Sequence, residues 1–287
     1  MKIKIAIIGA SGLVGKSLLK DLLLYFGVDA QVVGTYYNNS YPNGLYLDIT
    51  NKSKMRVFID NFRPDILVWL AGSKNIKELE SDPSISHLLN EKPIINMLDI
   101  LKDSLTQTKI IYISSDYVFD GNRGMYTFDD VRSPRTIYGK SKVFVEDMLR
   151  DSAVKSVSLR TSAIMSARGG FFSWLLQKIR DGECVDLYSN SIFSPTPSVS
   201  FNRAVVRIIQ ESLWGGELNF AGNAMTRYEF GRKVAEMLGK DPSQITPLIA
   251  DIENGTFHSD LSLITSDELS DLMPSNEDLI KELGKYD

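Results

Sequence analysis

The chain has 287 residues, of which 43% are hydrophobic and 24% are charged, and this composition is that of a folded globular protein with room for about two domains. Its formal net charge is −4, without a long run of like charge, which argues against nucleic acid as the main partner because surfaces that neutralise phosphates are usually basic. A single cysteine excludes an internal disulfide framework and a multi-cysteine zinc site, and two histidines argue against a histidine-rich site, so the residues predict no metal centre.

The N-terminal half alternates patterns typical of strands with patterns typical of helices. It begins with a β-rich run at Ile3–Ile8, which predicts a strand buried on both faces of a sheet. This run is too short for the apolar part of a signal peptide, and no stretch reaches the roughly 18 apolar residues that cross a membrane. We therefore expect a cytoplasmic protein without a membrane partner. Further strands are predicted at 31–36, 65–70, 109–113 and 155–159, and helices at 13–25, 52–61, 138–150 and in a stretch that begins near Pro93.

The pattern becomes less regular after about residue 165. Strands that alternate with helices indicate right-handed βαβ units and hence a parallel sheet. We therefore predict an α/β fold, with a doubly wound parallel sheet of the Rossmann type at 1–165 and a smaller C-terminal lobe at 166–287 whose segments interleave with the first domain. In this second part, helices are predicted at 171–180, 201–212 and 228–238, and short strands at 185–188 and 217–220.

A glycine-rich segment, Gly9-Ala10-Ser11-Gly12-Leu13-Val14-Gly15, joins the first predicted strand to the first predicted helix. Small residues let the backbone approach a pyrophosphate, and the N-terminus of the following helix offers free N–H groups and the positive end of its dipole. The order of strand, loop and helix favours dinucleotide binding over a plain tight turn. The predicted cofactor contacts in this segment are Gly9, Ser11, Gly12, Leu13, Val14 and Gly15.

The end of the second predicted strand bears on the choice between NAD and NADP. Strands at this position usually end in an acidic residue that binds the ribose 2′-hydroxyl of NAD. Here the run ends Thr35-Tyr36-Tyr37-Asn38, with neither an acid nor an arginine that would receive the 2′-phosphate of NADP. The missing carboxylate favours NADP, NAD stays open, and Tyr36 is predicted to contact the cofactor.

Tyr138 and Lys142 form a Tyr-x-x-x-Lys pair in a predicted helix. Residues four apart lie on one helix face, which places the ammonium beside the phenol. A free tyrosine has a pKa of about 10, and a neighbouring positive charge lowers that pKa, so that Tyr138 can exchange a proton with a carbonyl oxygen. Ser115 follows a predicted strand at the edge where doubly wound sheets bind ligands. We predict that Ser115, Tyr138 and Lys142 are catalytic, with Ser115 orienting the reacting oxygen; the plain alternatives are a capping serine and the start of a surface helix.

The glycine spacing and the tyrosine–lysine pair resemble the extended short-chain dehydrogenases/reductases that modify nucleotide sugars. Within that group, the run Ser-Ser-Asp-Tyr-Val-Phe-Asp-Gly at 114–121 is similar to a segment of the dTDP-4-dehydrorhamnose reductases. Shorter matches are spread over roughly residues 1–265. They are Arg63-Pro64-Asp65, Tyr138-Gly139-Lys140-Ser141-Lys142, Leu159-Arg160-Thr161-Ser162, Gly170-Phe171-Phe172, Pro195-Thr196-Pro197 and Leu261-Ser262-Leu263.

This resemblance implies an NAD(P)H-dependent enzyme that reduces a 4-keto group on a nucleotide-linked deoxysugar, as in the synthesis of dTDP-rhamnose for cell-surface polysaccharide. It places Asp48 against the adenine, although Asp48 also stands where a residue ahead of a helix N-cap would stand. Magnesium is implied by the resemblance alone, and a homodimer stays open. The further predicted cofactor contacts are Asp48, Ile49, Ala71, Gly72, Tyr138 and Lys142, of which Lys142 can hold the nicotinamide ribose. The implied substrate contacts are Ser115, Asp116, Tyr117, Tyr138, Thr161, Phe171 and Pro197.

The sequence departs from this family after the third predicted strand, where Lys74 and Lys77 enter. They either meet an anionic group of the substrate or form a solvated face, so the sugar stays open. Two other functions also stay open. One is a nucleotide-sugar epimerase or dehydratase of the same superfamily, and the other is a non-catalytic dinucleotide-binding regulatory subunit, as in methionine adenosyltransferase.

Overall fold

The computed structural model describes residues 2–104, 107–253 and 256–284. The predicted order of strands and helices in the N-terminal half is present there, with boundaries that shift by one or two residues. The strands are β1 (Ile3–Ile8), β2 (Ala30–Tyr36), β3 (Leu45–Tyr46), β4 (Ile66–Trp69), β5 (Lys109–Ser115), β6 (Ser156–Thr161), β7 (Ile164–Met165), β8 (Val185–Tyr188), β9 (Ile192–Phe193), β10 (Thr196–Pro197), β11 (Glu217–Asn219), β12 (Met225–Thr226) and β13 (Ile245–Leu248). The helices are α1 (Leu13–Phe26), α2 (Lys52–Phe62), α3 (Ile76–Ser81), α4 (Pro83–Ser86), α5 (Lys92–Asp103), α6 (Ile137–Asp151), α7 (Gly170–Arg180), α8 (Ser198–Gln210), α9 (Arg227–Met237) and α10 (Asn276–Gly284).

One sheet contains seven of these strands, in the order β11-β6-β5-β4-β1-β2-β3. β1 pairs in parallel with β2 on one side and with β4 on the other, and β4 pairs in parallel with β5. The chain thus runs outward from β1 to β3 and then returns to β4 on the opposite side of β1. The predicted doubly wound parallel sheet is confirmed, and its strand order reverses between β1 and β4, where such sheets bind ligands.

Burial of apolar residues explains why these elements form. Ile5, Ala6, Ile7 and Ile8 of β1 have no exposed surface, as the continuous β-rich run predicts for a central parallel strand. Helices cover the sheet with one apolar stripe each. On α5 this stripe is Ile94, Met97, Leu98 and Leu101.

Local signals set the helix ends near the site. The Asn51 side chain accepts a hydrogen bond from the Lys54 backbone N–H and begins α2, and the left-handed Arg63, directly before Pro64, ends it. The Thr136 hydroxyl accepts from the Gly139 N–H at 3.0 Å and begins α6. This cap fixes the first turn of the helix that carries Tyr138.

The chain divides into two compact units that alternate along the sequence. The first comprises the residues up to Val118, Pro134–Arg160 and Val205–Leu218, and the second comprises Phe119–Ser133, Thr161–Ala204 and the residues from Asn219 onward. The boundary at residue 165 stays a prediction.

The second unit contains three two-stranded sheets, which pair β7 with β10, β9 with β12, and β8 with β13. Its core lies between α7 and α9, where Phe172, Phe230 and Val234 have no exposed surface. The predicted helix at 201–212 begins three residues earlier, at Ser198.

Several elements were not predicted from the sequence, namely the helices α3, α4 and α10 and the strands β3, β7, β9, β10, β12 and β13. They are short or follow irregular stretches, where periodicity is weak. Within the described ranges, no helix has both the length and the apolar character needed to cross a membrane.

Candidate active site

The glycine-rich loop lies at the edge of the sheet where the strand order reverses. Gly9 ends β1 in a left-handed conformation with φ of +91°, and a Cβ atom there would lie 2.9 Å from the Ala71 backbone nitrogen after β4. The Gly9 N–H donates to the Thr35 hydroxyl on β2 at 3.1 Å. Glycine at position 9 therefore lets the ends of β1 and β4 approach each other.

The N-terminus of α1 fits a dinucleotide phosphate. Its N-cap residue, Gly12, is exposed, and among the described residues no side chain caps the helix and no acid lies in its first turn. Ser11, Leu13 and Val14 are partly buried beside it. Backbone N–H groups and the positive end of the helix dipole thus remain for an anion, as the sequence analysis expects.

Gly15 lets the first turn of α1 pack on the loop, because a Cβ at this position would lie 2.6 Å from the Ala10 Cα. We predict that Gly15→Ala raises the Kd for NADPH by about tenfold to a hundredfold, since such strain costs about 1–3 kcal/mol. Titration of NADPH fluorescence measures this change. Lys20→Ala, at an exposed position later in α1, is the control, and an equal loss of affinity in both variants would refute the assignment.

Several aromatic rings lie close together at the end of β2. The Tyr36 ring lies 6.1 Å from the Tyr41 ring and 5.9 Å from the Tyr46 ring, both edge-on. Asp48 follows β3, and its Oδ1 accepts from the Thr50 backbone N–H at 3.0 Å and from the Thr50 hydroxyl at 2.6 Å. Asp48 is thus held in a turn ahead of α2, and its contact with the adenine stays a prediction. Ile49 packs against the core.

Asn90 holds the loop that follows β4. A Cβ on Gly72 would lie 2.7 Å from Asn90 Oδ1. This oxygen accepts from the Ser73 N–H at 2.7 Å, and Asn90 Nδ2 donates to the Ser73 carbonyl at 3.1 Å. Asn90 lies in a π-helical turn at His87–Glu91, a type of irregularity that is frequent at functional sites. The sequence patterns did not predict a role for Asn90. The glycine at position 72 was the available sign that another group packs against the backbone there.

The structure brings Ser115, Asp116, Tyr117 and Tyr138 together. Ser115 hydrogen-bonds the Tyr138 hydroxyl, and its own hydroxyl donates to Asp116 Oδ1 at 2.7 Å. The Tyr117 ring stands edge-on to the Tyr138 ring at 5.7 Å. A Cβ on Gly139 would lie 2.1 Å from the Tyr117 carbonyl oxygen. Glycine at 139 therefore allows α6 to approach the turn that follows β5.

Burial raises the pKa of the Tyr138 phenol well above its usual value, and the Asp116 carboxylate raises it further, while the hydrogen bond that the phenol shares with Ser115 lowers it. The expected net lowering by Lys142 therefore does not hold in this structure. Desolvation penalises a phenolate more than the nearby ammonium stabilises it. Tyr138 consequently keeps its proton at neutral pH, which suits a proton donor better than a base.

Lys142 lies one helical turn after Tyr138, and its Nζ is 5.5 Å from the Tyr138 ring centre and 4.6 Å from the Tyr112 ring centre. The ammonium donates to the Ile113 carbonyl of β5 at 2.8 Å. Burial lowers the pKa of Lys142 to about 8, and the charge of Glu146 opposes this shift. Lys142 thus titrates near the upper end of the physiological pH range.

The other three predicted substrate contacts belong to the second unit. Thr161 is buried, and its hydroxyl donates to the Ser162 carbonyl at 3.3 Å. Pro197 is buried and pairs with Met165 in the β7–β10 ladder. Phe171 is partly exposed and lines a cavity of this unit.

This cavity is a wide, open depression of about 550 Å³, and four of its eight lining residues are aromatic. Arg227 lies over the Phe171 ring at 4.7 Å, and the Tyr188 and Phe257 rings are 4.6 Å apart. Trp174 is 45% exposed here. The lining residues are Gly170, Phe171, Trp174, Asp186, Leu187, Tyr188, Arg227 and Phe257.

Local sequence patterns do not predict that Tyr188, Arg227 and Phe257 line one cavity, because these residues are far apart along the chain. One weak signal was the arginine at 227 in the first turn of α9, where the helix dipole disfavours a cation. Lys74 and Lys77 are exposed, as the solvated-face alternative expects. In the described part of the chain, no group of three or more His, Cys, Asp or Glu side chains is placed to hold a metal ion.

Comparisons with known proteins agree with this geometry. The model of one family, described as the RmlD substrate binding domain, matches residues 2–257. A dTDP-4-dehydrorhamnose reductase of Aggregatibacter actinomycetemcomitans is 27% identical over 219 residues, which are 76% of this chain and 71% of that protein. The methionine adenosyltransferase 2 subunit beta of Rattus norvegicus is 24% identical over 264 residues, 85% of this chain and 75% of that protein.

The fold is shared with solved structures. The crystal structure of a dTDP-4-dehydrorhamnose reductase from Bacillus anthracis, in complex with NADP, superposes with a TM-score of 0.84. That superposition covers 100% of this chain and 99% of the other at 22% identity.

Proposed function

We infer that this protein reduces a 4-keto group on a nucleotide-linked deoxysugar with NAD(P)H, because the chain belongs to the family of the RmlD substrate binding domain. The observation that carries this proposal is the convergence of Ser115, Tyr138 and Lys142 at the end of β5, two strands from the phosphate loop in the same sheet.

The cofactor site is proposed from the loop after β1. Gly9, Gly12 and Gly15 would hold the pyrophosphate through the backbone at the N-terminus of α1. Tyr36 ends β2 where NAD-specific sheets place an acid, which supports NADP over NAD. When bound, the nicotinamide supplies the hydride.

In the proposed reaction, the protein's own residues donate a proton and stabilise the negative charge that is left on the donor. Tyr138, whose pKa is raised, gives its proton to the keto oxygen of the substrate as the keto carbon is reduced. Ser115 hydrogen-bonds that oxygen and orients it. Lys142, bound to the Ile113 carbonyl, provides the positive charge that stabilises the phenolate left behind.

We propose that the aromatic cavity of the second unit binds the nucleotide part of the substrate. Its volume is within the range of small-molecule sites. Aromatic rings such as Phe171 and Trp174 can stack on a planar base, and Arg227 can meet a phosphate. Magnesium is given no part in this scheme, because the described residues form no cluster of ligands for it.

Trp174→Ala tests the cavity. We predict that the KM for the nucleotide sugar rises by about tenfold, since stacking on a base contributes about 1–3 kcal/mol, while kcat changes little because Trp174 touches no reacting atom. Initial-rate kinetics separate the two constants. Leu24→Ala, at another exposed apolar side chain on α1, is the control, and an unchanged KM for Trp174→Ala would remove the cavity from the substrate site.

The proposed activity is tested by mixing the protein with NADPH or NADH and a panel of nucleotide-linked 4-keto-6-deoxy sugars. We expect oxidation of the reduced cofactor in proportion to the sugar converted. Conversion without net oxidation would instead indicate an epimerase.

The similarity to a methionine adenosyltransferase subunit favours a second candidate, a regulatory subunit that binds the dinucleotide without turnover. The complete set of Ser115, Tyr138 and Lys142 supports the enzyme. Binding of NADPH without oxidation by any sugar of the panel would favour the regulatory function.

A further inference from the structure

A buried ion pair lies directly behind the proposed catalytic residues. Glu146 on α6 and Arg160 on β6 have 0% and 1% of their side chains exposed. Arg160 Nε donates to Glu146 Oε1 at 2.9 Å, and one terminal guanidinium nitrogen donates to Oε2 at 2.8 Å. The Ser114 hydroxyl completes the set by donating to Oε1 at 2.6 Å.

A contribution to stability alone does not explain why this ion pair is buried. Two charges lose their hydration on burial, and packed apolar residues of similar volume are often as stabilising as a buried ion pair. Apolar residues surround the pair on α6, since Val145 and Leu149 are buried in the core. The placement of the pair is therefore the feature to be explained.

The pair connects to the proposed site through two elements. Tyr138, Lys142 and Glu146 follow one another at intervals of four on α6 and so share one face of that helix. On β5, Ile113 binds Lys142 through its carbonyl and Ser114 binds Glu146 through its hydroxyl. The next residue of the strand is Ser115, so both contacts fix the strand end that carries it.

The pair also supplies charge. Among the described residues, the Glu146 carboxylate favours the charged form of Lys142 and so opposes the effect of burial on the pKa of that ammonium. The other titratable groups that face Lys142 are Tyr112 and Tyr138, and Glu91 acts on Tyr112. Both tyrosines have raised pKa values and stay neutral near pH 7.

We propose that Glu146 is a positioning residue, held by Arg160 and Ser114, which fixes α6 against the end of β5 and balances the charge of Lys142. The proposal rests on the reductase function argued above. It assigns Glu146 no contact with the substrate or with the reacting atoms.

The test compares Glu146→Gln with the double variant Glu146→Gln/Arg160→Gln, which removes both charges and so leaves neither buried alone. In both variants we expect kcat to fall by about tenfold through misplacement of Tyr138 and Lys142. The KM for NADPH and for the sugar should stay within about twofold of the wild-type values, since the contacts that bind both molecules before the reaction are retained. If Glu146 acted in folding alone, the correctly folded fraction of each variant would keep the wild-type kcat.

The pH profile gives a second readout. Loss of the carboxylate removes a group that favours the charged form of Lys142, so the ammonium deprotonates at lower pH. The alkaline fall in kcat should therefore move to lower pH in both variants. Asp147→Asn is the control on the same helix, because Asp147 is 45% exposed and pairs with Arg150, and it should leave the profile unchanged.

A measurement without substrate separates this proposal from the proposed function. Acetic anhydride labelling across pH 7–11, read by mass spectrometry at Lys142, reports the titration of this amine directly. A lower midpoint in both variants than in the wild type supports the proposal even if no sugar of the panel is reduced. An unchanged midpoint, or a folded double variant with wild-type kcat, would overturn it.

Discussion

Tyr138→Phe is expected to lower kcat for reduction of the keto sugar by about a thousandfold, within the range that general acid catalysis contributes. The structure places the Tyr138 phenol in hydrogen-bond contact with Ser115. Its raised pKa keeps it protonated near pH 7, so the wild-type enzyme begins each cycle with the proton in place. Phenylalanine retains the ring that packs on Tyr117 and removes only the hydroxyl.

The affinity for NADPH should be unchanged in Tyr138→Phe, because the phosphate loop and α1 are untouched. Stopped-flow measurement of cofactor oxidation gives kcat, and fluorescence titration gives the Kd. Tyr25→Phe, on α1, is the matched control with full activity expected. A Tyr138→Phe enzyme that turns over at the wild-type rate would show that the proton comes from another group.

Arg160→Met is expected to reduce the free energy of unfolding by about 3–5 kcal/mol, because it leaves the Glu146 carboxylate buried without its partner. The guanidinium makes both hydrogen bonds of the pair from a side chain that is 1% exposed, so water cannot replace it. Urea denaturation followed by circular dichroism measures the loss.

Two controls distinguish a lost charge partner from a generally damaged fold. Arg56→Met breaks a surface pair with Asp103, and its cost should be about 1 kcal/mol or less. The double variant Arg160→Met/Glu146→Leu removes both charges and should recover most of the stability. A double variant as unstable as Arg160→Met would show that packing, not the orphaned carboxylate, causes the loss.

Local patterns predicted the sheet and the glycine-rich turn that follows β1. β1, the loop from Gly9 to Gly15 and α1 are adjacent in sequence, and each signal lies within the element that it specifies. The same holds for Tyr138 and Lys142, whose spacing of four on a helix fixes their common face.

The remaining features depend on contacts between distant segments. The aromatic cavity joins residues from Gly170 to Phe257, and the ion pair joins a helix to a strand that follows it. Sequence spacing alone indicates neither. The pKa of Tyr138 was misjudged for the same reason, because burial by the surrounding fold, rather than the neighbour at i+4, is its largest cause.

The central claim, hydride transfer to the keto carbon of a nucleotide sugar, is tested most directly with NADPH in which both hydrogens at C4 of the nicotinamide are deuterium. The product from a dTDP-linked 4-keto-6-deoxy sugar would be analysed by mass spectrometry and NMR. We predict one deuterium per product molecule, at C4 of the sugar, with one equivalent of NADPH consumed. Bound NADPH that keeps its deuterium, or a converted sugar without deuterium at C4, would contradict this account.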